Sequence, residues 1–323
     1  MEIATLIHRP SEQMPPTQFV GGIFPRKHIT IVAAKAGVGK TWFVLKTLTD
    51  LSRGGTIMNG AMAYYEPPRK CLLLVGESGL ELVNERQRSM HDKAVDDNFA
   101  IISRIEALKH KIVLDVDRPD GVQGIYNICK VVRPDIVALD TLMSFRSDDE
   151  NAMQNSNIML SRLQYLADSF SCAIIVTHHI RKRQSGVQER IDQDEIVGSS
   201  ALVRQSGCAW ILTKNGRNYA LHPVKTWWKV PELIEWRMVD RGGEIFFDEA
   251  KWEEGGNVTT RRLRAEDYLR HLEPDETVTV KDIADKFGFG KPFAQQIIQS
   301  CCDLVSESQG SAPAVYGRKA IVA

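Results

Sequence analysis

The eight residues Ala34-Lys35-Ala36-Gly37-Val38-Gly39-Lys40-Thr41 constrain this chain more than any other stretch. An apolar β-like run from His28 to Ala33 leads in, and a helical pattern from Thr41 to Ser52 leads out. A strand, a glycine-containing loop and a helix in that order are the setting in which a phosphate-binding loop works. Gly37 and Gly39 let the backbone curl until its N–H groups converge on an anion. Lys40 adds a point charge for the β- and γ-phosphates, and the Thr41 hydroxyl is a ligand for Mg²⁺. The helix N-terminus contributes its partial positive charge. Ala36, Gly37, Val38, Gly39, Lys40, Thr41 and Trp42 are therefore the expected contacts of a nucleoside triphosphate. Ala34 stands where such loops usually carry their first glycine.

Around this motif, strand and helix patterns alternate from Phe19 to about Asp248, which argues for a mainly parallel sheet flanked by helices. Strands are expected at 28–33, 71–75, 111–115, 136–140, 172–177 and 208–213, followed by an antiparallel extension at 219–224, 233–239 and 244–248. Ligands of such sheets bind at the carboxyl ends of the strands. Two carboxylates are delivered there. Ile136-Val137-Ala138-Leu139 ends in Asp140, placed to hold a Mg²⁺-bound water. Cys71-Leu72-Leu73-Leu74-Val75-Gly76 ends in Glu77, placed to orient and polarise an attacking water, with a solvated turn glutamate as the plainer alternative. His178 and His179 close the 172–177 strand. Neighbours on a strand point to opposite faces, so the pair cannot readily share a metal; one can sense a γ-phosphate, or either can be structural.

A polar loop from Arg181 to about Val197 follows. Arg181, Lys182, Arg183 and Arg190 oppose Glu189, Asp192, Asp194 and Glu195. Its basic half suits the phosphates of single-stranded nucleic acid, while a solvated lid is the competing reading.

The whole chain of 323 residues has 41 basic and 41 acidic side chains, so no global charge favours nucleic acid. Its six cysteines lack CxxC spacing, which fits a reduced, cytoplasmic protein without structural disulfides or zinc. No signal-peptide pattern and no membrane-length apolar run is present in the sequence. One large and one small domain are expected, in four segments: an arm at 1–18, an α/β core at 19–252, a linker at 253–259 and a small domain at 260–323. The last reads as helices at 261–272, 279–288 and 291–305 and a β-wing at 314–322, the order of a winged helix-turn-helix. A small helical docking domain is the alternative. Nine basic and nine acidic residues in 258–323 do not favour DNA there.

Taken together, these pieces resemble the RecA-like ATPases, and among them the RepA-type hexameric replicative helicases related to DnaB. The resemblance rests on Phe19-Val20-Gly21-Gly22-Ile23-Phe24-Pro25-Arg26-Lys27 before the loop and on Pro67-Pro68-Arg69 before Leu72 to Ser78. It extends through Asp140-Thr141-Leu142-Met143-Ser144-Phe145 to Asp149-Glu150-Asn151, then Thr177-His178-His179, Gly198-Ser199-Ser200-Ala201-Leu202 and Val224-Lys225-Thr226. It implies ATP and Mg²⁺ as cofactors, Glu77 as catalytic carboxylate, Thr41 and Asp140 at the metal, and a homo-oligomeric, hexameric ring acting on DNA, single-stranded by preference. It implies an ATP-driven helicase or translocase in plasmid, phage or mobile-element replication. A nucleotide-gated regulator or loader is the alternative, with the C-terminal domain recruiting a replication protein. The sequence departs from the family at the cation that would act on a neighbour's nucleotide. Gly207 occupies the neighbourhood of the usual arginine, and Arg204, Lys225 and Lys229 compete for the role.

Overall fold

The computed structural model describes residues 17–147, 153–180, 191–196, 200–250, 265, 268, 269, 272, 277–287, 290–306 and 314–318. The chain divides into two compact units, Met1–Ala250 and Lys251–Ala323.

In the first unit, two short hairpins precede or interrupt the main sheet: β1 (Phe19–Val20) with β2 (Phe24–Pro25), and β4 (Gly55–Ile57) with β5 (Ala63–Glu66). Among the described residues the main sheet has nine strands. They are β3 (Ile29–Ala34), β6 (Cys71–Val75), β7 (Phe99–Ser103), β8 (Ile136–Asp140), β9 (Ala173–His179), β10 (Cys208–Asn215), β11 (Asn218–Thr226), β12 (Ile234–Arg241) and β13 (Glu244–Glu249). Their spatial order is β13-β12-β11-β10-β3-β9-β8-β6-β7. The six strands from β10 to β7 are parallel, and β11 to β13 add an antiparallel extension. Among the described residues its α-helices are α1 (Lys40–Arg53), α2 (Leu80–Ser89), α3 (Arg104–Lys109), α4 (Pro119–Val132), α5 (Met153–Phe170) and α6 (Ser200–Gln205).

Both faces of the sheet are covered, which explains why its central strands read as unbroken apolar runs rather than alternating ones. Side chains nevertheless alternate between two cores. Val32, Leu73, Ala138 and Ile175 join α1 residues such as Val44 and Leu48 on one face. Ile31, Leu72, Leu139 and Val176 join α4 and α5 residues such as Ile125 and Leu163 on the other. The burial of α1 is tied down by charge as well. Lys46 is 2% exposed and donates to Asp50 and Asp92 at 2.6 Å each, while Asp50 also accepts the Met58 N–H at 2.8 Å. Burial raises the Asp50 carboxyl above its ordinary value, against the pull of Lys46. Removing one partner of such a set would leave an uncompensated buried charge.

One expected strand is corrected. Residues 111–115 do not pair; the edge position beside β6 belongs to Phe99–Ser103. The 111–115 stretch is covered by α4 instead. Gly121 and Gly124 lie so close that a Cβ on them would stand 2.1 Å from the carbonyl oxygens of Asp115 and Val113. Leu114 and Val116 thus fill the core on a face of the sheet, not its edge.

In the second unit, β14 (Thr277–Thr279) leads into α7 (Val280–Phe287) and α8 (Lys291–Cys301), then β15 (Cys302–Ser306) and β16 (Val315–Arg318). The sheet order β14-β16-β15 is antiparallel throughout. Thr279 and Asp282 cap the start of α7 reciprocally: the Thr279 N–H donates to the carboxylate at 2.8 Å, and the Asp282 N–H to the hydroxyl at 3.2 Å. The Thr279 hydroxyl also donates to the carboxylate at 2.8 Å, and this bond, with that of the Thr279 N–H, holds the Asp282 carboxyl below its ordinary value. Ala265, Leu269, Leu272, Ile283, Ala294 and Ile298 build its core. The helix expected over 291–305 ends at Cys301, because 302–306 pairs with β16.

Five free cysteines are described, Cys71, Cys129, Cys172, Cys208 and Cys302, all buried. Burial pushes the Cys129 and Cys172 thiols up to about 12 and raises Cys71 and Cys208 as well. No described helix is long and apolar enough to cross a membrane.

Candidate nucleotide-binding and hydrolysis site

Strand parity builds the site. In β8 the residues on the α1 face are Ile136, Ala138 and then Asp140; in β9 they are Ala173, Ile175, Thr177 and His179. The register Leu139↔Val176 sets Asp140 beside Thr177, and Val75↔Asp140 sets the residues after β6 beside those after β8. All of these positions lie at carboxyl ends, where β3 also gives way to the loop before α1.

That loop turns through Gly37 at φ 76° and Gly39 at φ 117°, and Gly39 caps α1. A Cβ on Gly39 would stand 3.1 Å from the Tyr219 ring, so glycine serves both the turn and the close approach. Lys35, Ala36 and Gly37 are exposed, whereas Lys40 is 7% exposed and folded inward. Its ammonium donates to the carbonyls of Ala34 at 3.2 Å and Lys35 at 3.3 Å, and to His179 Nδ1 at 3.3 Å. Burial lowers the Lys40 pKa, while Asp140 and Glu77 hold it up. Trp42, half-buried, packs near Phe247 with the Arg86 guanidinium 5.7 Å from its ring centre.

Asp140 is 3% exposed. Its Oδ2 accepts from the Thr41 hydroxyl and its Oδ1 from the Thr177 hydroxyl, both at 2.6 Å. Hydroxyl and carboxylate oxygens this close are the hard donors a Mg²⁺ ion takes, together with phosphate oxygens and water. No cluster of three or more acidic, histidine or cysteine side chains suited to a metal occurs among the described residues. A magnesium bound mainly through phosphates needs none.

Glu77 Oε1 accepts from the Thr141 hydroxyl at 2.6 Å and lies 3.6 Å from His179 Nε2. An ammonium only donates, so its contact with Nδ1 places the proton of a neutral His179 ring on Nε2, facing Glu77. His179 thus stands between Lys40 and Glu77. His178, one residue earlier, turns to the other face and is fully buried.

The remaining expected residues separate. Lys225 donates to the carbonyls of Val203 at 2.9 Å, Arg204 at 2.7 Å and Ser206, at the C-terminus of α6. Burial lowers its pKa. Arg204 and Lys229 are exposed. Arg181, Lys182, Arg183 and Arg190 lie outside the described residues. The ends of that loop meet through an antiparallel bridge between Ile180 and Ile196. Sequence reasoning assigned no role to the hydroxyls of Thr141 and Thr177, which bind Glu77 and Asp140 respectively. Their positions, one residue past β8 and two residues before the end of β9, were the available signal.

A sequence model of the family described as an AAA domain matches residues 4–185, more than half of the chain. The chain belongs to this family. Its AAA domain match spans the phosphate loop, Glu77, Asp140 and His179. No curated protein matches the chain. Among solved structures, the chain resembles one titled as a DnaB-like replicative helicase and its interactions with primase, at 14% identity and a TM-score of 0.52. The superposition covers 70% of this chain and 58% of that protein, so the chain spans less than two thirds of the helicase's length. The likeness is one of fold: the AAA domain here has a RecA-like α/β core with a mostly parallel sheet.

Proposed function

We propose that the protein is an Mg²⁺-dependent ATP hydrolase that works as a DNA helicase or translocase in replication, assembled as a homo-oligomeric ring. The observation that carries this reading is the convergence of Lys40, the Thr41–Asp140 pair, Glu77 and His179 on one edge of a parallel sheet. The fold shared with a DnaB-like replicative helicase supports the DNA-replication part.

In the proposed mechanism the loop N–H groups and Lys40 hold the β- and γ-phosphates. Lys40 exchanges its contact with His179 for phosphate oxygens, which leaves the imidazole to bond the γ-phosphate. Thr41 and Asp140 would hold a Mg²⁺ ion, which would supply neutralisation of the phosphate charge. Glu77 orients a water in line with the γ-phosphorus and accepts its proton as the new P–O bond forms and the bond to the ADP oxygen breaks. A cation from a neighbouring copy, Arg204, Lys225 or Lys229, offsets the charge that develops on the leaving oxygens. Of these Lys225 must first leave the α6 carbonyls. Arg181, Lys182, Arg183 and Arg190 contact the DNA backbone, and the loop they occupy moves with hydrolysis.

From Thr277 on, the described residues of the second unit run strand, two helices and two strands, with β16 central in the sheet. That order supports a winged-helix reading, and its balanced charge favours recruitment of a protein over DNA.

ATP turnover with and without single-stranded DNA tests the motor reading. The intact protein should be stimulated strongly, and Arg181, Lys182 and Arg183 changed together to alanine should retain basal turnover without stimulation. Turnover indifferent to single-stranded DNA would leave a nucleotide-gated regulator or loader as the better account.

A further inference from the structure

Glu77 has a second partner that the hydrolysis chemistry above does not use. The Thr141 hydroxyl sits 2.6 Å from Glu77 Oε1, and Thr141 is only 4% exposed. Glu77 lies beyond the end of β6, where no strand pairing fixes it. Its side chain is half exposed, and a free carboxylate there would sample several rotamers. The segment that carries Thr141 is, by contrast, rigidly placed. The Gly76 N–H donates to the Asp140 carbonyl at 2.8 Å, which extends the β6–β8 pairing one step past the strands. A 3-10 turn, Leu142–Phe145, follows, with the Ser144 N–H bonded to the Thr141 carbonyl at 3.0 Å. Ser144 packs so tightly onto Gly76 that a Cβ there would stand 2.1 Å from its own Cβ. Leu142 and Phe145 are fully buried and anchor the turn. Ser144 Oγ lies 3.5 Å from the Thr141 hydroxyl.

We propose that Thr141 is a positioning residue for Glu77: its hydroxyl pins Oε1, so that Oε2 is presented to the attacking water. This rests on the reading of Glu77 as the catalytic carboxylate. Thr141 touches neither ATP nor water in this account and acts only through Glu77. The bond is charge-assisted and held by a packed turn, so it is preorganised before ATP arrives. Losing it returns Glu77 to its rotamers and lowers the fraction of enzyme ready to react, without altering the phosphate contacts of Lys40 and Thr41.

The test compares Thr141→Val, which keeps the shape and lacks the hydroxyl, with Thr141→Ser, which keeps the hydroxyl, in the full chain. Hydrogen bonds to charged groups imply that T141V lowers kcat about 10- to 100-fold, with T141S near the parent. The Kd for a fluorescent ATP analogue should stay unchanged in both. In the E77Q background, followed by single turnover, T141V should add nothing, because groups acting as a unit are not additive. Should T141V fail to fold, T141A makes the same comparison with T141S. Parental kcat in the hydroxyl-free variant, or an equal loss in T141S, overturns the proposal. So does an undiminished effect of T141V on top of E77Q. If E77Q itself turns over ATP normally, the assignment of Glu77 falls and the proposal with it; if E77Q is dead while T141V is normal, the positioning role alone falls.

Discussion

Replacing Lys225 by methionine separates a structural cation from a catalytic one. The ammonium donates to three carbonyls at the end of α6, those of Val203, Arg204 and Ser206. Val203 and Ser206 are 5% and 0% exposed, so water is poorly placed to replace the donor at two of them. Arg204 is exposed, and its carbonyl can be rehydrated. The Val203 carbonyl keeps the Ser206 hydroxyl at 2.8 Å, so one buried carbonyl, that of Ser206, is left unsatisfied at a cost of about 1–3 kcal/mol, and a cation at a helix C-terminus contributes about 0.3–1 kcal/mol. Against this, burial already lowers the Lys225 pKa, so part of the gain offsets its desolvation. A net loss of about 2 kcal/mol follows, which for a unit of this size lowers Tm by about 4–8 °C. Thermal unfolding of Lys225→Met, nucleotide-free and dilute, measures it. Lys229→Met is the control, because Lys229 is exposed. Lys225→Arg should recover part of the loss, since its donors reach the same carbonyls with a different fork. Equal melting temperatures for K225M and K229M would refute the capping role and leave Lys225 free to serve the neighbouring copy.

Lys40→Met should abolish turnover in a steady-state phosphate-release assay, because the loop loses the cation folded against Ala34 and His179; residual hydrolysis near the parental rate would remove the phosphate-loop assignment. Gly76→Ala should cut kcat by more than about tenfold and lower Tm, since the new methyl would meet Ser144 at 2.1 Å and displace the turn that places Glu77. His28 and His222 both have pKa values lowered by burial, opposed at His28 by Asp168. The unfolded chain therefore takes up protons below about 6.5 that the fold refuses, and stability should fall as pH drops through that value toward the lowered ones. Urea midpoints at about pH 7.5 and about pH 5.5 should show this, and His28→Gln with His222→Gln should flatten the difference.

Much of this arrangement was legible in the sequence because its signals are local. β6 and β8 occur at 71–75 and 136–140, as a run of five apolar residues and a run of four closed by Asp140 predict. The phosphate loop and α1 are fixed by glycines and a helical pattern within twenty residues. Phe99–Ser103 was missed because a short edge strand carries little alternation, while 111–115 imitates a strand ending in Asp. Only the glycines of α4, which let that helix lie on the 111–115 backbone, tell the two apart. The alternation of β9 separates His178 from His179, but sequence alone does not say which face carries α1. The roles of Thr141 and Thr177 depend on register between strands far apart in the chain. A threonine after an aspartate is too common to stand out without it.

The buried cysteines give the molecule a built-in clock. A thiol shielded from solvent and held at about 12, as Cys129 and Cys172 are, is nearly inert to alkylating reagents until the backbone around it opens. Cys71, Cys172 and Cys208 sit in or beside three strands of the main sheet, and Cys302 begins a strand of the other unit. Mass-spectrometric counting of alkylated Cys71 against alkylated Cys302 therefore times the opening of each unit separately, in one sample and without any introduced label.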